Sequence, residues 1–124
     1  MLENKFNHLF LFFIFISSLN AGDIRSLLFH GNCITCHDEH KSISAPSIDL
    51  VKGNYLRAFP TREDFIAYMA KWVVKPNKEG SIMLDAIDKY KLMPELGYDE
   101  STLREIASYI YDTDFSKNHE GHKR

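Results

Sequence analysis

The sequence predicts an all-α fold of four or so helices. Apolar residues recur at helical spacing, most cleanly at Leu103, Ile106, Ala107 and Ile110. Helix-start signals precede such stripes at Asp23, Thr61 and Asp99. No strand-rich βαβ pattern accompanies them.

The elements follow in order. Met1 to His8 hold one lysine and one glutamate, and an apolar run, Leu9 to Ile16, comes next. Small and polar residues then lead to Ala21. This has the form of a secretory signal peptide over residues 1–21, cleaved after Ala21. The run is too short to span a bilayer as a helix; kept uncleaved, it would be a membrane anchor. A domain over residues 22–115 and a polar tail over 116–124 complete the chain. The domain is about a hundred residues, enough for one modest core.

A first helix, capped by Asp23, is expected to run to about Cys36 with Ile24, Leu27, Leu28 and Ile34 on its apolar face. From Asp38 to Pro60 no periodicity is sustained, so an irregular stretch is expected, long enough to need a reason. Thr61, with Asp64 three residues later, opens a second helix carrying Phe65, Ile66, Met69, Trp72 and Val73. Pro76 ends it. A third helix is expected over Ser81 to Tyr90, with Ile82, Met83, Ala86, Ile87 and Tyr90 inward. After a loop from Lys91 to Tyr98, Asp99 caps the last helix.

Cys33-Ile34-Thr35-Cys36-His37 carries the chemistry. Cys-x-x-Cys-His is the spacing of covalent c-type haem attachment. On a helical turn, positions i, i+3 and i+4 share a face. The two thiols would form thioethers with one haem, and His37 would bind its iron. The chain has two cysteines, and both lie here. Two other readings compete. A thioredoxin-like dithiol uses the same cysteine pair. A zinc site would need four ligands, and His40 lies nearby without an evident fourth. With haem, the irregular stretch has its reason, since the loop would wrap the cofactor's edge.

The order of helix, attachment motif, loop, helices, Met93-Pro94 and final helix resembles the small class I c-type cytochromes, over nearly all of the mature chain. That resemblance implies a cytochrome c-like fold around one haem c, with Met93 as second iron ligand opposite His37. The residues support Met93 independently. A thioether is a soft neutral ligand that raises the potential, and Pro94 restricts Met93 to an extended conformation. A methionine filling a core gap is the ordinary alternative, and Met69 and Met83 are read that way. The resemblance also makes the Pro46 carbonyl an acceptor for the His37 imidazole N–H, against a plain turn proline.

Phe29 and Tyr109 match the aromatic pair where the family crosses its first and last helices. Arg25 stands where the family has a small residue, usually glycine. Two packings follow: helices further apart, or an arginine laid across the contact. Trp72 and Arg57 are read either as haem-propionate partners or as a core aromatic and a solvated charge. His30, His40, His119 and His122 are read as surface residues, the last two with a stray-metal alternative in the tail.

The formal net charge is −2 and basic residues do not cluster, which gives no electrostatic case for nucleic acid. The expectation is a monomeric periplasmic electron carrier, not an enzyme, exchanging electrons with transient protein partners. Membrane association is expected only if the leader is retained. The alternatives are a haem-based ligand-binding or sensor module with a labile Met93, and an exported thiol oxidoreductase using Cys33 and Cys36.

Overall fold

A computed structural model describes residues 21–117. The expected leader before Ala21 and the tail histidines His119 and His122 lie outside them. All regular structure among the described residues is helical: α1 (Ala21–Asn32), α2 (Ile48–Ala58), α3 (Arg62–Val74), α4 (Leu84–Tyr90) and α5 (Glu100–Asp112). None of these is long and apolar enough to cross a membrane.

α1 departs from its expected bounds. It already includes Asp23, so that residue is not its N-cap, and it stops at Asn32 rather than Cys36. Gly31 and Asn32, both poor helix formers, sit at its end. Helical pairing continues more loosely for one turn: Cys33 N–H donates to Phe29 O at 2.9 Å, and His37 N–H to Cys33 O at 2.9 Å. The inner face also differs. Ile24 and Leu27 are exposed, whereas Phe29 is fully buried. The face that meets α5 runs through Arg25 and Phe29, one turn apart.

The stretch between Asp38 and Pro60 holds a helix that was expected to be loop. Ser47 caps α2, its Oγ accepting from Leu50 N–H at 3.3 Å. Ile48 and Tyr55 are buried and Val51 partly so, a spacing of i, i+3 and i+7. Gly53 and Asn54, both weak helix formers, mask that stripe in the sequence. Lys52 ties α2 to α5, donating to Tyr111 O at 2.8 Å and Thr113 O at 2.5 Å. These contacts satisfy carbonyls at a helix C-terminus, where a cation is favoured.

α3 begins as the sequence predicts. Thr61 Oγ1 accepts from Asp64 N–H at 3.2 Å and donates to the Asp64 carboxylate at 2.7 Å. It ends at the non-helical Lys75 (φ −142°, ψ 82°), just before Pro76. α4 begins at Leu84, three residues later than Ser81, because Met83 is non-helical (φ −126°, ψ 62°). Asp99 caps α5 by accepting from Thr102 N–H at 2.8 Å.

The core is built on α5. Leu103, Ile106, Ala107 and Ile110 are all buried, against Phe65, Ile66, Met69 and Ala70 of α3, Ile48 and Tyr55 of α2, Phe29 of α1, and Phe115. α5 packs on α3, α1 and α2. α4 contributes nothing to this core, and its backbone makes no close approach to the other four helices.

At the α1–α5 crossing the Phe29 and Tyr109 rings lie 5.2 Å apart. Arg25 lies across the contact, the second of the two packings anticipated. Its Nη1 donates to Ser108 Oγ at 3.0 Å and to the Asp112 carboxylate at 2.9 Å. Arg62 of α3 reaches the same carboxylate through two bonds of 3.0 and 2.9 Å. One acid thus joins three helices.

Candidate functional site

The stand-off of α4 leaves a cleft that is partly open to solvent. One wall is the core face of α2, α3 and α5. The other is α4 with the loop that follows it. The lining is almost wholly apolar, with Val51, Met69, Val73, Ile82, Ile87 and Ile106 among its side chains.

Three of the four expected site residues line this cleft: Cys33, His37 and Met93. The turn after α1 brings Cys33 and His37 to it, and the loop before α5 brings Met93. The fourth, Cys36, is exposed and does not line the cleft. Neither thiol is bridged.

His37 has a fixed tautomer. Its Nδ1 lies 2.7 Å from the Pro46 carbonyl oxygen. A carbonyl only accepts, so Nδ1 carries the proton, and in the neutral ring Nε2 keeps its lone pair. This is the arrangement of a metal-ligating histidine, whose other nitrogen donates to an outer partner. Pro46 also lines the cleft. Its role as acceptor, rather than as a plain turn proline, is visible in the geometry.

Burial pushes the Cys33 thiol up to about 11. A catalytic dithiol needs the opposite, a thiolate favoured by nearby positive charge or a helix N-terminus. Cys33 instead follows the C-terminus of α1. No group of three or more His, Cys, Asp or Glu side chains placed to hold a metal ion occurs among the described residues. A protein-only zinc centre has no donor set there.

Other expected residues sort plainly. Met69 is buried in the core, and Met83 is half-buried on the cleft wall. Trp72 lines the cleft, but its indole N–H donates to Asn77 O at 3.0 Å. Arg57 donates to Asn54 Oδ1 at 2.8 Å and is exposed. The indole N–H of Trp72 is thereby occupied, whereas the Arg57 bond uses one of five guanidinium N–H donors. His30 and His40 are surface residues: His30 Nε2 lies 3.5 Å from Glu39, and His40 Nδ1 lies 2.5 Å from Asp49. The Asp49 contact raises the His40 pKa above its ordinary value.

Sequence reasoning missed two polar residues of the lining, Asn32 and Tyr98, which hydrogen-bond to one another. Only their positions, just before Cys33 and at the end of the Met93 loop, hint at a role. Comparison with family models, with curated proteins and with solved structures returned no match.

Proposed function

We propose that this chain is a small monohaem c-type cytochrome: an exported, periplasmic electron carrier with a cytochrome c-like fold wrapped around one haem c. Cys33 and Cys36 are the covalent attachment points, and His37 and Met93 the two iron ligands. The observation that carries this reading is that a single apolar cleft gathers Cys33, His37 and Met93 from distant parts of the chain.

The residues present fit the group. The cleft offers an apolar wall to a macrocycle, a thiol, an oriented imidazole and a thioether. The exposed Cys36 stands one turn along from Cys33 for the second thioether. When bound, haem supplies the one-electron couple between ferrous and ferric iron. Pro46 holds the imidazole and makes it a stronger donor through its Nδ1–H. Pro94 limits the conformations of Met93. The apolar lining excludes water, which favours the less charged state and raises the potential. Two neutral protein ligands leave no open position, so the reading is of a carrier rather than an enzyme. Its encounters with a protein donor and acceptor would be small and transient, between monomers, with no nucleic acid involved.

The test is to produce the protein with its leader in a host that attaches haem in the periplasm, then separate it by denaturing electrophoresis and stain for haem. Retained colour is expected, since only covalent haem survives. A colourless, well-folded exported protein would sink the proposal and favour the dithiol. Strong carbon monoxide binding by the reduced protein would instead mark a ligand-binding module.

A further inference from the structure

Residues 92–98 carry Met93 along the cleft with little help from the backbone. Among the described residues, none of them takes part in a backbone–backbone hydrogen bond. The chain enters this loop through Lys91 at φ 75°, ψ 170°. That region is essentially reserved for glycine and holds a side chain only when surrounding contacts impose it. A loop with few backbone ties belongs to the easily opened part of a structure.

Two tyrosine hydroxyls tie its ends. Tyr98 O–H donates to Asn32 Oδ1. Asn32 is itself oriented, its Nδ2 donating to Leu28 O at 2.7 Å. Tyr90 O–H donates to Ser42 O at 3.4 Å. The anchors are placed symmetrically. Tyr90 and Tyr98 flank the Met93 loop, while Asn32 and Ser42 flank the segment that carries Cys33, Cys36 and His37.

We propose that Tyr98, assisted by Tyr90, is a positioning residue: the two phenols latch the Met93 loop across the attachment turn and set how often the cleft opens. Asn32 and Tyr98 both line the cleft, so the stronger latch closes at its wall. The weaker one, longer and at an exposed site, closes at its mouth. The latch itself stands on these hydrogen bonds. Its effect on ligand exchange rests on the reading of Met93 as an iron ligand.

The experiment compares the full-length haem-loaded protein with Tyr98→Phe, Tyr90→Phe and the double variant, each of which deletes only hydroxyl oxygen. The first measurement is native-state tryptic cleavage after Lys91, at the loop's entry, whose rate follows the open population, with amide exchange in α5 as the reference for global unfolding. One hydrogen bond of ordinary net strength predicts roughly three- to tenfold faster loop cleavage in Tyr98→Phe. A smaller change is expected in Tyr90→Phe, with α5 exchange unchanged in both. The second is titration of the oxidised protein with imidazole. Apparent affinity follows the open fraction, so it should tighten by the same factor. Loop cleavage within twofold of the parent in the double variant would overturn the proposal. So would an equal acceleration of α5 exchange, which marks general destabilisation. Faster loop cleavage with unchanged imidazole affinity would support the latch and count against Met93 as the ligand.

Discussion

Met93 and Met83 line the same cleft, yet they make different predictions. Met93 sits in a loop before a proline that restricts it. Met83 sits at the start of α4, half-buried among Ile82 and Ala86. If Met93 binds iron, Met93→Ala should lower the reduction potential, because a neutral soft ligand to ferrous iron is lost. Carbon monoxide should then bind the reduced variant far better than the parent, and covalent haem should survive. Met83→Ala should retain the parent's potential. Loss of the potential shift from Met93→Ala, with its appearance in Met83→Ala, would reverse the assignment. The buried Met69 behaves as core: Met69→Ala should cost about 2–5 kcal/mol in urea unfolding. The sequence singled out Cys33, His37 and Met93 by the spacing of the first two and the Met-Pro pair, and the structure brings all three to one cleft. Tyr98 and Asn32 carried no such mark. A hydrogen bond between residues far apart in the chain depends on how α1 and the loop before α5 are placed, which no local pattern records.

Helices were legible where caps and stripes agreed, as in α3 and α5. α2 shows the limit. Ser47 and the spacing of Ile48, Val51 and Tyr55 were readable, but Gly53 and Asn54 weakened the local preference, and packing on α3 and α5 decided the outcome. Gly53 therefore offers a direct test. A Cβ added there would come no closer than 3.7 Å to anything, the end of Arg57. Gly53→Ala should stabilise the protein by about 0.5–1 kcal/mol, measured as a higher urea midpoint at unchanged slope. A loss of stability would mean that α2 is not helical at that position. Asp112 tests the junction of α1, α3 and α5. Hydrogen bonding from Arg62, with Arg25 beside it, holds its carboxyl down at about 2, against an ordinary 3.8. A lowered carboxylate pKa stabilises the folded state above the unfolded value and loses that effect as pH falls through the folded one. The contribution should be complete above about pH 5 and gone near pH 2. The side chain is 38% exposed, so solvent screening keeps it to about 1 kcal/mol at most. Asp112→Asn should lower stability modestly at pH 7 and flatten the acid limb of a stability–pH profile between those values. An unchanged acid limb would show that the two arginines do not share this carboxylate in solution.

Across the whole molecule, the core and the cleft are unequal partners. Among the described residues, twelve buried apolar side chains on α1, α2, α3, α5 and Phe115 form one continuous core, and α4 adds none. α4 and the Met93 loop are held against the rest chiefly at their ends, by Ile82 and Tyr98 packed on the core's edge and by the hydrogen bonds of Tyr68, Tyr90 and Tyr98. A domain this small has little stability to spare. Under the proposed reading, haem burial would provide the contacts that α4 lacks. Cys33→Ala with Cys36→Ala should therefore do more than abolish covalent haem. The double variant should lose order first in residues 81–98, while α3 and α5, which pack directly on one another, hold longest. Hydrogen exchange resolved by segment would show this as near-complete exchange across α4 within the shortest labelling time, with slower exchange persisting in Leu103 to Ile110. Lower thermal stability should accompany it. A haem-free double variant with the parent's melting temperature and a protected α4 would mean that the cleft walls hold themselves apart without a cofactor, and the structural argument for haem would fail with it.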